Sequence, residues 1–359
     1  MADKGAVYEG SPVSTAVAEA RTQKADLNMS GFTADPKSWE GKSVVSVSQF
    51  SSEGLGLLFE VASRMKEMVA DKSDTATLSC HPPLRGRILG TLFYESSTRT
   101  ACSFQAAMLR LGGTFLAVNA TSSSVKKGET LEDTVISLLS YCDAIALRHP
   151  VKGAARAAAG VASGPVLNAG DGVGEHPTQA LLDLYTIVAE LGGGVGLEGL
   201  QGKVVVMVGD LKHGRTVHSL SRLLARFGCE LRYVSPLALN MPPYVQEEVA
   251  SEGGEGMVQT EHLELSAKVL EEADVLYVTR IQKERFASEE EFEAVNGSYR
   301  ITPEVMSKAK DSAVLMHPLP RVGEIAEDCD VDPRAAYFRQ MQNGMFVRMA
   351  LLALLFGKA

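Results

Sequence analysis

The chain has 359 residues, 45% of them hydrophobic and 22% charged, and this composition predicts two globular domains of ordinary size. Its formal net charge of −9 argues against general binding to nucleic acids or to anionic membranes, because both require a basic surface. No apolar stretch reaches the roughly 20 residues that a membrane span needs. The five cysteines are scattered and form no pair at zinc-ligand spacing, which favours reduced thiols in the cytoplasm.

The N-terminal stretch differs from the rest of the chain. Residues 1–38 are small, polar and without helical or strand periodicity, so the sequence predicts a mobile tail. Five acidic residues make it a poor transit peptide, although a plastid protein that has lost such a peptide stays open. From 39 to 190, helix and strand patterns alternate, which indicates a first domain. A glycine-rich joint then opens a second domain over 191–333.

A short apolar run that ends in a hydroxyl-rich segment is the first candidate site. Residues 87–93 have the pattern of a buried strand, and residues 101–111 have that of a helix closed by two glycines. At a helix start the backbone N–H groups lack partners and the dipole is positive, so a phosphate is favoured. The polar residues at this start are Ser97, Thr98, Arg99 and Thr100. The plainer alternative is that a hydroxyl only caps the helix.

Polar residues follow three more strands of the first domain. A strand over 114–119 precedes a loop that holds Ser123 and Lys127, and a strand over 143–147 ends at Arg148. A strand beginning at 165 is followed by His176, Gln179 and a helix through Leu191. Ligands of open parallel sheets bind outside the carboxyl ends of the strands, so these side chains are candidates to meet there.

The second half repeats this arrangement. A strand over 203–208 precedes Arg215 and a helix, a strand over 275–278 ends near Arg280 and Gln282, and a strand over 314–316 ends at a His-Pro-Leu-Pro segment. The βαβ pattern is of Rossmann type but lacks the glycine spacing of a dinucleotide site, so we do not infer NAD. The predicted fold is α/β, with two Rossmann-like domains whose parallel sheets are flanked by helices.

Seven motifs in this order resemble the aspartate/ornithine carbamoyltransferase family. They are Ser97-Thr98-Arg99-Thr100, Lys126-Lys127-Gly128-Glu129-Thr130, Arg148-His149-Pro150, His176-Pro177-Thr178-Gln179, Gly214-Arg215-Thr216, Thr279-Arg280-Ile281-Gln282 and His317-Pro318-Leu319-Pro320. The resemblance runs from about residue 41 to 357, and the stretch from 332 to 340 looks most like the eukaryotic members. We also expect a C-terminal helix over 334–357 to pack back on the first domain.

The resemblance implies that the first domain binds carbamoyl phosphate, that the second binds L-aspartate, and that the active site lies in the cleft between them. The family residues that hold carbamoyl phosphate correspond to Ser97, Thr98, Arg99, Thr100, Ser123, Arg148, His176, Gln179 and the backbone carbonyls of Leu319 and Pro320. Those that hold aspartate correspond to Lys127, Arg148, Arg215, Arg280 and Gln282. Ser123 and Lys127 match residues that reach a neighbouring subunit's site, which implies a homotrimer with shared active sites.

The implied reaction needs neither a metal nor a cofactor, because carbamoyl phosphate is already activated. Preorganised donors should stabilise the charge that develops on the carbonyl oxygen and on the leaving phosphate. We assign Arg148, His176 and Thr100 to the carbonyl oxygen. We assign Arg99 and Lys127 to the phosphate.

Three alternatives stay open from the sequence. L-Ornithine could be the acceptor, although Arg280 beside Gln282 suits a dicarboxylate better than a side-chain cation. A nucleotide-dependent dehydrogenase would need the missing glycine fingerprint. A non-catalytic assembly subunit, or a domain among other pyrimidine-pathway domains, would carry the same motifs. Singly, each polar residue could also be a cap, a satisfied core group or an ion-pair partner.

Overall fold

A computed structural model describes residues 15–71, 82–119, 127–191, 196–281 and 297–359. The chain divides into two compact units, one formed by residues up to Leu181 together with Asn343–Ala359, the other by Leu182–Gln342. Among the described residues, no helix has both the length and the apolar character needed to cross a membrane.

The first unit contains a four-stranded parallel sheet. Its strands are β1 (Ile88–Phe93), β2 (Thr114–Asn119), β3 (Ala144–His149) and β4 (Val166–Asp171), in the spatial order β2-β1-β3-β4. β1, β3 and β4 are buried along most of their length, as their apolar runs predict. β2 forms an edge and is largely exposed, so one edge of this sheet faces outward.

The described helices of the first unit lie before, between and after these strands along the chain. They are α1 (Thr15–Asn28), α2 (Ser52–Ala70), α3 (Thr98–Arg110), α4 (Leu131–Leu138), α5 (Ala154–Val161) and α6 (Pro177–Glu190), whose second half belongs to the other unit. Thr130 caps α4, because its hydroxyl accepts a hydrogen bond of 3.1 Å from the backbone N–H of Asp133.

The sequence predicts a mobile tail over residues 1–38, and the structure places a helix, α1, within that stretch. α1 is a helix whose Asp26 is hydrogen-bonded to Arg156 of α5, and Arg21 lies 3.9 Å from the buried Glu132. Met29, directly after α1, is buried in the core against α5. The helix has little apolar periodicity of its own, so its order comes from tertiary contacts that the local sequence does not reveal. Residues 1–14 lie outside the described part.

The second unit contains a five-stranded parallel sheet. Its strands are β5 (Val204–Val208), β6 (Glu230–Val234), β7 (Gln259–His262), β8 (Val275–Val278) and β9 (Val314–Met316), in the spatial order β7-β6-β5-β8-β9. The helices are α7 (Arg215–Ala225), α8 (Pro243–Gly253), α9 (Ala267–Glu272), α10 (Pro303–Met306) and the first turns of α11 (Tyr337–Leu355). The α/β class with two helix-flanked parallel sheets is therefore confirmed.

The last helix begins three residues later than predicted. Ala335 forms a parallel bridge with Leu315 of β9, and the backbone N–H of Leu315 donates to the carbonyl of Arg334 over 2.9 Å. Arg334 lies in a turn and Ala335 and Ala336 are bonded to β9, so these residues cannot form the first turn of α11. Beyond residue 342 this helix belongs to the first unit, where the carbonyl of Leu355 accepts a hydrogen bond of 2.9 Å from Gly41.

Candidate functional site

The strand order of the first sheet reverses between β1 and β3. β1 is followed along the chain by β2 on one side, whereas β3 lies on its other side. A parallel sheet opens a crevice outside its carboxyl ends at such a reversal, and ligands bind there. Arg99 follows β1 and Arg148 is the penultimate residue of β3, so the sheet brings both cations to this crevice. The backbone N–H of Tyr94 donates to the carbonyl of Arg148 over 2.9 Å and fixes the two strand ends together.

The start of α3 has no side-chain cap from Ser97, so its backbone N–H groups can receive an anion. Ser97 occupies the N-cap position, but its side chain makes no capping hydrogen bond. Its hydroxyl instead donates to the hydroxyl of the buried Thr100 over 3.0 Å. The plainer alternative, in which Ser97 merely caps the helix, does not describe this structure, and the first N–H groups of α3 are not bonded to that side chain.

Arg99 carries a cation that no described residue balances. Its side chain is half-buried, and this burial lowers the pKa of its guanidinium. Within the described ranges it has neither a hydrogen-bond nor an ion-pair partner. A partly desolvated charge of this kind costs free energy unless an anion compensates it.

Arg148 is held in place by two neighbours. Its Nη1 donates to the carbonyl of Ala169 in β4 over 3.1 Å, and its Nε lies 3.7 Å from the carboxylate of Glu95. Only 14% of its side chain is exposed. The guanidinium is therefore fixed at the carboxyl end of β3, with Glu95 as a counter-ion that the sequence analysis did not single out.

His176 lies directly before α6 and is buried at the same edge of the sheet as Arg148. Its Nδ1 is 3.5 Å from the hydroxyl of Thr178, which in turn accepts a hydrogen bond of 3.2 Å from Nη2 of the buried Arg348. Glu175, the preceding residue, accepts hydrogen bonds from the hydroxyl of Ser46 over 2.7 Å and from a backbone N–H over 3.0 Å. These contacts fix the segment that carries His176.

One predicted residue of the first unit falls outside the described ranges, and a second lies at the start of the next range. Ser123 lies outside the described residues, and Lys127 is exposed ahead of α4. Gln179 is half-buried in the first turn of α6. The predicted residues that the fold of this unit brings to one edge are Ser97, Thr98, Arg99, Thr100, Arg148, His176 and Gln179.

The second sheet also reverses, between β5 and β8, and predicted residues follow both strands. Arg215 is the first residue of α7, which follows β5, and Arg280 lies two residues beyond β8; both are half-buried. The hydroxyl of Thr279 donates to the carbonyl of Val208 over 3.0 Å and joins the two strand ends. Gln282 lies outside the described residues.

The segment after β9 presents backbone rather than side-chain groups. Leu319 has a positive φ of 54°, and the peptide bond between it and Pro320 is cis. The backbone N–H of Leu319 donates to Nδ1 of His317 over 2.8 Å. Leu319 is half-buried and Pro320 is exposed, at the same edge of the sheet as Arg280.

No metal site is evident in the described part of the chain, since its histidines, cysteines and acidic residues form no group of three or more that could hold an ion. The expected independence from metals and cofactors stays a prediction.

Family models cover most of the chain. The model described as "Aspartate/ornithine carbamoyltransferase, carbamoyl-P binding domain" matches residues 42–189, and "Aspartate/ornithine carbamoyltransferase, Asp/Orn binding domain" matches residues 201–355. The chain belongs to the aspartate/ornithine carbamoyltransferase family. The resemblance drawn from the seven motifs is thereby confirmed.

Relatives within the carbamoyltransferase family include enzymes of several kingdoms. The aspartate carbamoyltransferase catalytic subunit of Thermococcus onnurineus is 48% identical over 320 residues, which are 89% of this chain and 98% of that protein. Multifunctional protein pyr1-3 of Dictyostelium discoideum is 50% identical over 335 residues, or 93% of this chain, but the chain spans only 14% of its length. The crystal structure of aspartate transcarbamoylase from Trypanosoma cruzi in complex with carbamoyl phosphate and aspartate matches with a TM-score of 0.77 and 42% identity, over 88% of this chain and 95% of that one.

Proposed function

We propose that this chain transfers the carbamoyl group of carbamoyl phosphate to the amine of L-aspartate, giving N-carbamoyl-L-aspartate and phosphate. The observation that carries the proposal is the reversal point of the first sheet. There the cation of Arg99, which no described residue balances, the start of α3, which Ser97 does not cap, and the fixed guanidinium of Arg148 converge on one crevice. This combination binds an acyl phosphate through its phosphate and its carbonyl oxygen.

The residues of the crevice account for the chemistry. The amine nitrogen of aspartate attacks the carbonyl carbon, and electrons move to the carbonyl oxygen, where Arg148, His176 and Thr100 stabilise the negative charge. The bond from carbon to the phosphate oxygen then breaks, and Arg99 and Lys127 stabilise the departing phosphate. The attacking amine loses one proton, which the departing phosphate accepts, so that the phosphate leaves as the dianion HPO4²⁻. Holding both substrates in contact contributes up to ~7–11 kcal/mol in favourable cases.

Charge favours aspartate over ornithine as the acceptor. Arg215 and Arg280 at the reversal point of the second sheet suit the two carboxylates of aspartate, whereas the side-chain cation of ornithine would meet like charges. The relative from Trypanosoma cruzi, whose crystals contain carbamoyl phosphate and aspartate, supports this choice.

A parallel assay tests the proposal. The purified chain is incubated with carbamoyl phosphate and either L-aspartate or L-ornithine, and the ureido product is measured. Product with aspartate alone is expected. Product with ornithine alone would assign the other acceptor, and no product with either amino acid from folded protein would favour a non-catalytic subunit.

We also propose that three copies form a ring in which Ser123 and Lys127 reach the neighbouring active site. The edge strand β2 directly precedes this loop and is largely exposed, with Leu116 on its surface. An exposed edge strand with apolar side chains is an aggregation liability unless a partner covers it, and a second copy of the chain would do so.

The product chemistry suggests a biosynthetic setting. We propose that N-carbamoyl-L-aspartate feeds de novo pyrimidine synthesis in the cytoplasm, beside other pyrimidine-pathway domains. The likeness to one portion of multifunctional protein pyr1-3 supports this setting. Immunoblotting of fractionated cells would test it, since a band near the 38.3 kDa of this chain indicates a separate enzyme.

A further inference from the structure

The loop from His317 to Val322 follows β9 and contains the backbone carbonyls of Leu319 and Pro320. Under the proposed function, on which this inference rests, these carbonyls help to hold carbamoyl phosphate. A carbonyl oxygen can only accept hydrogen bonds, and the amino group is the part of carbamoyl phosphate that donates them. The direction of the Leu319 and Pro320 carbonyls therefore distinguishes a carbamoyl group from an acyl group without an amine.

The imidazole of His317 holds the middle of this loop in one tautomer. The backbone N–H of Leu319 lies 2.8 Å from Nδ1 of His317, and an N–H can only donate, so Nδ1 must be the unprotonated acceptor. The ring proton is then on Nε2, which donates to Oε1 of Glu324 over 2.7 Å. His317 is only 1% exposed, and both of its ring nitrogens have hydrogen-bond partners.

Glu324 closes the loop from its far end. Its second oxygen, Oε2, accepts a hydrogen bond of 2.8 Å from the backbone N–H of Val322, so one carboxylate joins both ends of the loop. Burial alone would raise the pKa of this carboxyl, but the hydrogen bonds from His317 and Val322 outweigh it and lower the pKa, which keeps Glu324 ionised. The backbone of Glu324 is itself fixed, because its carbonyl accepts from Ile301 over 2.8 Å.

The near end of the loop is anchored to two helices. The backbone N–H of His317 donates to Oε1 of Gln340 in α11 over 3.0 Å. The Nε2 of Gln340 donates to Oδ1 of the buried Asp183 in α6 over 2.6 Å, and Asp183 also accepts from the hydroxyl of Tyr277 over 2.7 Å. The loop therefore moves only if hydrogen bonds of buried groups break, each of which is costly.

We infer that Glu324 is a positioning residue for the carbamoyl amino group. Its carboxylate fixes the tautomer of His317 and the N–H of Val322, and so sets the direction in which the Leu319 and Pro320 carbonyls point. It acts through the loop and contacts no substrate itself.

The variant Glu324→Gln tests this role with almost unchanged shape. A glutamine has one acceptor and one donor end, so it can satisfy either His317 or Val322 but not both in their present orientation. Loss of one hydrogen bond to a charged group corresponds to a ~10- to 100-fold change in an equilibrium constant. We expect the KM for carbamoyl phosphate to rise by about that factor, whereas binding of inorganic phosphate, which has no amino group, should stay unchanged.

Acetyl phosphate provides the decisive comparison, because it has a methyl group where carbamoyl phosphate has the amine. Its inhibition constant against carbamoyl phosphate should be the same in the wild-type chain and in Glu324→Gln. A purely structural defect would weaken the binding of both acyl phosphates equally. That result would overturn the inference, and so would an unchanged KM for carbamoyl phosphate.

The matched control is Glu304→Gln in α10. The side chain of Glu304 is 84% exposed, and its Oε1 lies 3.7 Å from Nζ of Lys308. The variant therefore removes the same charge from the same unit without changing the loop. Glu304→Gln should keep the wild-type KM for carbamoyl phosphate. If Glu324→Gln does not fold, Glu324→Asp replaces it, since the shorter acid keeps the charge but cannot reach both partners. A wild-type chain that neither binds nor turns over carbamoyl phosphate would instead refute the proposed function.

Discussion

Two arginines of the first unit show how differently one side chain can be used. Arg148 is compensated by the carbonyl of Ala169 and by Glu95, so its position is fixed before any substrate arrives. Arg99 is partly desolvated, which lowers its pKa, and no described residue compensates its charge. The folded protein thus carries an electrostatic cost at Arg99 that an anion would remove.

Replacing Arg99 should therefore separate binding from stability. Arg99→Ala should lower kcat/KM for carbamoyl phosphate by ~10²- to 10³-fold, as removal of an electrostatic donor typically does. The melting temperature should stay the same or rise slightly, because a desolvated and uncompensated charge is removed. Calorimetric titration with carbamoyl phosphate and a thermal melt measure the two effects.

The matched control for Arg99→Ala is Arg280→Ala in the second unit. It should raise chiefly the KM for aspartate and leave the affinity for carbamoyl phosphate near that of wild type. An unchanged affinity of Arg99→Ala for carbamoyl phosphate would contradict the assignment of Arg99 to the phosphate group.

At the level of residues, the sequence predicts those that lie at strand ends and misses those that support them. Arg148 and His176 follow apolar runs, so their position relative to the sheet can be inferred from the chain itself. Gln340, Glu324 and Arg348 work through partners that only the tertiary fold supplies; Gln340 and Asp183, for example, are 157 residues apart. The one local signal is the presence of Arg348 within an otherwise apolar helix.

At the level of elements, the apolar character of a strand decides whether the sequence reveals it. β1, β3, β5 and β8 are continuous apolar runs and were predicted within a few residues. β7 was not predicted, because it is a polar edge strand with the sequence Gln-Thr-Glu-His. The order of α1 likewise depends on α5 and on the buried Met29 rather than on its own periodicity.

Met29 tests whether α1 is an integral part of the first unit. Met29→Ala removes a buried side chain from the core and should lower the free energy of unfolding by about 2–5 kcal/mol. The control Val17→Ala changes a side chain of α1 that is 44% exposed, and its effect should stay within about 0.5 kcal/mol. Denaturant titration of both variants measures the difference. Equal, small effects would restore the mobile tail that the sequence predicts.

At the level of the whole molecule, the proposed trimer depends on the exposed side of the first unit. β2 ends at the last described residue before the range that contains Ser123, and the exposed apolar residues of the first unit include Leu109, Leu116 and Tyr141. Large exposed apolar patches mark interaction surfaces. In a closed ring of identical subunits the same pair of surfaces meets at every interface, so a loop that crosses one interface crosses all of them.

Mixed trimers test whether Lys127 completes a neighbour's site. Lys127→Ala and Arg99→Ala should each be nearly inactive alone. If one subunit supplies Arg99 and its neighbour supplies Lys127, every mixed trimer holds one intact site, and random mixing at equal amounts should restore about a quarter of wild-type activity. The control mixes Arg99→Ala with Arg148→Ala, which belong to the same crevice of one subunit, so no intact site forms and activity stays low. Mixing is verified by mass spectrometry of the native trimers, and a lack of recovery in verified Lys127→Ala and Arg99→Ala hybrids would rule out the shared site.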